Sequence, residues 1–198
     1  MIAGVLLASG ASRRFGADKL IAPLDGRPIV RWSAEALVGV VDELVVVVRD
    51  DRSPVRAALD GLPIRWVLNR EAESGMSTAI RAGIAALPAD VEAAIVALGD
   101  QPLVDRHVVA QLVERWRATH ARAIQPRYDD GPGHPVLFDA TLFPTLCALE
   151  GDVGARAVLD SLGDALDVVT IAGPRPIGVD TPETLRAVAA DLAQRGRG

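Results

Sequence analysis

The chain has 198 residues, 49% of them hydrophobic and 24% charged, enough apolar material for one well-buried core and too much for an intrinsically disordered segment. A formal charge of −5, from 26 acidic and 21 basic residues without a long single-sign run, gives no electrostatic footprint for nucleic acid or an anionic membrane. A single cysteine, Cys147, excludes an internal disulfide, and His107, His120 and His134 lack zinc-ligand spacing.

The first apolar run is Ile2 to Leu7. Small residues follow it as in a secretory leader, but no basic segment precedes it and Arg13-Arg14 come after. It reads as a core strand, and the protein as cytoplasmic. Short runs recur at Leu44 to Val48, Ile64 to Leu68, Ala94 to Leu98 and Val168 to Ile171, several rich in β-branched residues, and each predicts a buried strand. All are far shorter than the roughly 20 residues that span a bilayer, so no transmembrane helix is expected. Helical spacing appears at Val108, Val109, Leu112, Val113 and Trp116, and again at Leu185, Val188, Ala189 and Leu192. Between these, Gln125 to Pro135 is rich in Pro, Gly and Asp and precedes Val136 to Phe138. That region predicts a lid or an antiparallel excursion over the sheet, facing substrate. Apolar strands alternating with amphipathic helices predict an α/β protein with a mainly parallel sheet covered on both faces. No repeat or linker divides residues 1–198, so a single domain is expected.

Three segments carry chemistry. Leu7-Ala8-Ser9-Gly10-Ala11-Ser12-Arg13-Arg14-Phe15-Gly16-Ala17-Asp18-Lys19 follows the first strand; its small residues let backbone N–H groups approach an anion, and its cations suit phosphates. It matches neither the P-loop nor the dinucleotide-binding fingerprint, and an ordinary glycine-rich turn with solvated arginines accounts for the same residues. Leu98-Gly99-Asp100-Gln101-Pro102 ends a strand, and a carboxylate at that edge of an α/β sheet can hold Mg²⁺ or can satisfy nearby backbone N–H groups. Gly178-Val179-Asp180-Thr181-Pro182-Glu183 opens the last helix. Asp180 or Thr181 can be its N-cap, with Glu183 completing a capping box, yet a second carboxylate is also what a two-point Mg²⁺ site requires. Gly75-Met76-Ser77-Thr78 begins an Ala-rich helix whose free N–H groups can meet a ribose or phosphate oxygen or be capped by Ser or Thr. Gly133-His134-Pro135 and Gly151 to Arg156 look like substrate contacts, and Cys147 reads as buried and inert.

As an ordered set these segments resemble the molybdenum cofactor nucleotidyltransferase family, and its cytidylyltransferase branch in particular. The matching residues run from Leu7 to Lys19, then Pro23 to Pro28, Gly75 to Gly83, Ala97 to Leu103, Gly133 to Phe138, Gly151 to Leu159 and Asp180 to Leu185. The resemblance implies a three-layer α/β/α, Rossmann-like nucleotide-diphospho-sugar transferase fold (GT-A-like), with a nucleotide half at about 1–100 and an acceptor half at about 101–198. It implies CTP as donor, the molybdopterin cofactor as acceptor, Mg²⁺ as the metal, and a molybdenum hydroxylase or its maturation factor as recipient. The implied nucleotide site is Leu7, Ala8, Ser9, Gly10, Ser12 and Arg13 with Gly75 and Ser77. Lys19, Arg14 and Asp100 would be catalytic, Asp100 and Asp180 the metal ligands, and Gly133, His134, Pro135, Asp152 and Arg156 the acceptor contacts. Two residues depart from the pattern: Ser9 where Ala or Gly is common before Gly10, and Phe15 where Met is usual before Gly16.

Four other readings compete. In sugar-phosphate nucleotidyltransferases the loop lysine usually follows a proline, whereas here Ala17-Asp18-Lys19 follows Gly16. The guanylyltransferase branch usually has Gly-Gly where this chain has Ser9-Gly10. A non-catalytic cofactor carrier predicts binding without turnover, and a scaffold recruited to redox work on an aromatic heterocycle is allowed because fold does not fix function.

Overall fold

The computed structural model describes residues 1–10, 15, 18–151 and 154–195. The Ile2 run forms β1 (Ile2–Ala8), followed by the small ribbon β2 (Pro23–Leu24) and β3 (Arg27–Pro28) and by α1 (Ile29–Leu37). Then come β4 (Glu43–Val48), α2 (Pro54–Ala58), β5 (Ile64–Leu68), α3 (Met76–Ala85), β6 (Ala93–Leu98) and α4 (Arg106–Thr119). The second half contributes β7 (Ala123–Tyr128), β8 (Gly131–Pro132), β9 (Val136–Asp139), α5 (Phe143–Cys147), α6 (Arg156–Leu162), β10 (Leu166–Thr170) and α7 (Pro182–Arg195).

The main sheet has the order β10-β7-β9-β6-β1-β4-β5, with β8 added to β7. The pairs β1–β4, β1–β6, β4–β5 and β7–β10 are parallel, whereas β9 runs antiparallel between β6 and β7. The expected antiparallel excursion is therefore part of the sheet. Its first strand escapes the apolar pattern because β7 reads Ala-Ile-Gln-Pro-Arg-Tyr. Pro126 is tolerated there because pairing with β9 ends at Ile124, so the missing N–H does not interrupt that ladder.

Side-chain alternation divides the core between two faces. Leu6, Val46, Val48 and Ile95 pack with Val30, Leu37, Leu112 and Trp116 of α1 and α4. Val5, Val45, Val47 and Val96 pack with Ile80 and Ile84 of α3, Leu146 of α5 and Leu159 of α6. Strands apolar on both sides are what a three-layer α/β/α arrangement demands. At Gly83 on α3 an added Cβ would lie 2.3 Å from Cγ1 of Val5, so only glycine lets the helix lie this close to the sheet. A third, smaller cluster of Leu24, Ile29, Leu103, Val179 and Val188 fastens α7 to the first half. Among the described residues no helix is long and apolar enough to cross a membrane.

Candidate active site

Because β6, β1, β4 and β5 are parallel, their C-terminal ends emerge on one edge, where open α/β sheets bind ligands. Asp100, Ser9-Gly10, Arg49 and Asn69 follow these four strands there. A cleft of about 870 Å³ opens along that edge, lined among others by Leu7, Ser9, Gly10, Lys19, Asp100 and Asp180.

At its centre Lys19 Nζ donates to Oδ2 of Asp100 at 2.6 Å and to Oδ1 of Asp180 at 2.7 Å. Each partner is fixed locally. Lys19 opens a 3₁₀ turn capped by Asp18, whose Oδ1 accepts from the Leu20 N–H. The turn carrying Asp100 is held by the Gly99 N–H on the Leu7 carbonyl and by the Ser33 hydroxyl on the Gly99 carbonyl. Asp180 is brought in by the Val179 N–H, which donates to the Asp100 carbonyl at 2.8 Å. Burial pulls the Lys19 ammonium down, but the carboxylates of Asp100 and Asp180 outweigh it and hold the ammonium above its ordinary range.

The competition at Asp180 is resolved by Thr181. The Thr181 hydroxyl accepts from the Thr184 N–H at 3.3 Å, and the Thr184 hydroxyl accepts from the N–H groups of Thr181 and Asp180, each at 3.0 Å. This is a capping box one residue later than the spacing of Asp180 and Glu183 suggests, and it leaves the Asp180 carboxylate turned to Lys19. Two carboxylates about one cation leave a net negative charge, which suits a divalent metal. Among the described residues no group of three His, Cys, Asp or Glu could hold an ion. The pair therefore fits a metal completed by substrate phosphate and water, as Mg²⁺ commonly is, rather than one enclosed by protein.

The far wall, which includes Ser9, Glu73 and Gly75, is braced by a network around the buried Asn69 that no sequence motif marks. Asn69 Nδ2 donates to the hydroxyls of Thr78 (2.9 Å) and Ser9 (3.3 Å), and its Oδ1 accepts from the Glu71 N–H at 3.2 Å. The Thr78 hydroxyl in turn reaches the Gly75 carbonyl at 2.8 Å. Gly75 has φ +107°, a conformation other residues rarely take, and it turns the chain into α3.

The remaining expected residues divide. Gly75 lines the cleft, whereas Ala8 and Ser77 are buried outside its lining. Ser77 donates its hydroxyl to the Gly151 carbonyl instead of meeting a ligand, so it holds the 151 loop. Gly133 and His134 line a second cavity of about 300 Å³, which shares Gln101 and Gly178 with the first. Pro135 is buried beside it, and burial pushes the His134 imidazole down against the pull of Asp100. Arg156 stands 88% exposed on α6, paired with Asp160, and lines neither cavity. Ser12, Arg13, Arg14 and Asp152 lie outside the described residues. Arg49, Glu73 and Gln101 line the cleft without having been named as contacts, although Gln101 stands in the Asp100 segment, and Asn69 braces Ser9 and Thr78 beside it. For Arg49 the signal was present: a charged residue immediately after an apolar strand run, much as Asp100 follows another.

Residues 4–166 match the MobA-like NTP transferase domain. The chain is 33% identical over 199 residues to a Natronomonas pharaonis protein named "Probable molybdenum cofactor guanylyltransferase", covering 96% of this chain and 98% of the relative. It is 36% identical over 166 residues to "Nicotine blue oxidoreductase" of Paenarthrobacter nicotinovorans, covering 80% and 81%. Among solved structures it resembles Rv0371c of Mycobacterium tuberculosis H37Rv with a TM-score of 0.83 and 28% identity, over 96% of this chain and 98% of that one. A manganese complex of the same protein matches with a TM-score of 0.79. These neighbours share the Rossmann-like fold of the nucleotide-diphospho-sugar transferases. The chain belongs to the MobA-like NTP transferase domain family, a family of nucleotidyltransferases.

Proposed function

We propose that the chain transfers GMP from GTP to the terminal phosphate of a molybdopterin-type molybdenum cofactor and releases pyrophosphate. The observation that carries this reading is the sharing of the Lys19 ammonium by Asp100 and Asp180 at the ligand-binding edge of the sheet. The donor would occupy the 1–100 half along Leu7, Ser9, Gly10 and Gly75, and the acceptor the 101–198 half beside Gly133 and His134. Asp100 and Asp180 would hold the divalent metal, Mg²⁺ by the family resemblance, and Arg14 would add charge on the phosphates. When bound, such an ion neutralises charge on the triphosphate.

Lys19 contributes a fixed positive charge in a largely buried setting, where it acts more strongly on phosphate oxygens than it would in water. An acceptor phosphate oxygen forms the bond to the α-phosphorus as the bond to the pyrophosphate oxygen breaks, so the leaving group departs with its electron pair. Such transfer rests on positioning and electrostatics, and no covalent nucleophile is required.

GTP is favoured over the CTP expected from sequence by the relative of 33% identity named a guanylyltransferase. Ser9 before Gly10 is the residue that speaks for CTP. The deciding experiment measures pyrophosphate release with Mg²⁺ and molybdenum-loaded molybdopterin, offering GTP, CTP, ATP and UTP separately. Release with GTP supports this reading, and release with CTP alone moves it to the cytidylyl branch. The relative named nicotine blue oxidoreductase supports a second reading, a scaffold recruited to another small molecule. Folded protein that releases no pyrophosphate with any nucleotide would favour that reading or a cofactor carrier.

A further inference from the structure

Among the described residues, three buried side-chain polar atoms have no hydrogen-bond partner: Nη2 of Arg49, Oε1 of Gln101 and Nδ1 of His134. All three residues line the two adjoining cavities. A buried donor left unmade is unfavourable, and such groups in folded proteins usually have a functional reason. Arg49 is the one farthest along the sheet from the acceptor cavity, and the transfer chemistry above makes no use of it.

The register of the sheet locates it. Strand β1 lies between β6 and β4, with Leu7 opposite Leu98 on one side and Ala8 opposite Val48 on the other. Asp100 therefore leaves the edge one strand to one side of Ser9-Gly10, and Arg49 one strand to the other side. Two interstrand spacings, roughly 10 Å, separate them. A ligand whose phosphates meet Lys19 near Asp100 and whose sugar crosses Ser9-Gly10 presents its base to Arg49.

A carboxylate waits beside the guanidinium. Nη1 of Arg49 stands 4.0 Å from Oε1 of Glu73, and both residues line the cleft. Glu73 lies on the 3₁₀ turn Ala72–Ser74, between Asn69 and Thr78, whose hydrogen bonds hold both ends of the segment. The pair offers N–H donors next to carboxylate acceptors. Guanine answers both: O6 and N7 accept from an arginine fork, and its N1–H and N2 amine donate from neighbouring atoms to the two oxygens of one carboxylate. Cytosine has one donor group, the N4 amine.

We propose that Arg49 and Glu73 form the base-reading pair of the nucleotide site and select guanine, an inference that rests on reading the cleft as a nucleotide-donor site. The test is calorimetric binding of GTP, CTP, guanosine and inorganic tripolyphosphate to the wild type, Arg49→Met and Glu73→Gln, with melting curves showing that each variant is folded. Expected is a wild-type preference for GTP over CTP that each variant loses by on the order of tenfold to a hundredfold, guanosine affinity falling and tripolyphosphate affinity holding. Equal losses for GTP, CTP and tripolyphosphate in Arg49→Met would make Arg49 a phosphate ligand and overturn the proposal. A wild type without base preference, or variants that keep it, would overturn it as well. Pyrophosphate release is read separately: guanine selection that is lost in the variants of a protein with no transferase turnover would sink the transfer reading and leave the base-reading pair standing.

Discussion

The backbone N–H of Val179 donates to the carbonyl of Asp100 at 2.8 Å, joining the end of β6 to the segment before α7. One residue beyond that donor, Asp180 is delivered to the same ammonium that Asp100 holds. Val179 is fully buried in the cluster that also contains Val188 of α7. The last helix is therefore packed to carry a carboxylate to the cleft as well as to cover the core.

Because Thr181 caps α7 and Asp180 faces Lys19, the two roles separate by mutation. Asp180→Asn is expected to reduce pyrophosphate release on the order of a hundredfold or more while hardly moving the melting temperature. Thr181→Ala is expected to cost about 1 kcal/mol of stability, with turnover largely retained. Paired melting curves and turnover assays check both. An Asp180→Asn protein as active as wild type would overturn the proposed metal role of Asp180.

Asn69 is 3% exposed and ties Ser9, just after β1, to Thr78 of α3. Asn69→Ala takes a donor from the buried Thr78 and Ser9 hydroxyls and an acceptor from the part-buried Glu71 N–H. A loss of about 1–3 kcal/mol in denaturant unfolding is expected. Nucleotide affinity should weaken as well, because the turn bearing Glu73 and Gly75 loses its anchor. Unchanged affinity for GTP in a folded variant would show that this turn does not shape the site.

The parallel half of the fold was legible because continuous apolar runs need burial on both faces, and Leu44 to Val48 or Ala94 to Leu98 can find that only between helix layers. Strand β7 was not legible, since Pro126 and Arg127 break its pattern and only partners on both sides make it a strand. Lys19, Asp100 and Asp180 stood out because each belongs to a compact motif. Arg49 and Asn69 carry no motif, and Gln101 only neighbours Asp100 in one; they matter because strand order sets the ends of β6, β1, β4 and β5 side by side, a relationship that periodicity along one strand cannot reveal. Ser77 and Arg156 show the opposite limit. A hydroxyl at a helix start and a cation after a glycine loop look alike in sequence whether they face a ligand, the core or water.

Gly83 faces Val5 and Val47 so closely that a Cβ would sit 2.3 Å and 3.0 Å from their methyl groups. In an exposed helix, glycine to alanine gains about 1 kcal/mol. Here overpacking, at about 1–3 kcal/mol, outweighs that gain. Gly83→Ala should lower the melting temperature, and a rise would mean that α3 shifts off the sheet freely.

His134 contributes to the loss of stability on the acid side. Burial holds its imidazole below the ordinary value, the nearby Asp100 only partly offsetting the effect, so the folded protein keeps the ring neutral where the unfolded chain begins to protonate it. Above the unfolded-state value, about 6.5, the ring is neutral in both states and costs nothing. As pH falls below that, protonation favours the unfolded chain, and stability declines until the folded-state value is passed. His134→Gln removes this linkage while keeping a polar side chain beside the second cavity. Melting temperatures measured from neutral to mildly acidic pH, about one unit either side of the ordinary imidazole value, should therefore fall less steeply for His134→Gln than for the wild type. Parallel profiles would mean that His134 protonates without resistance in the folded protein, and that the cavity it lines is open enough to hydrate an imidazolium.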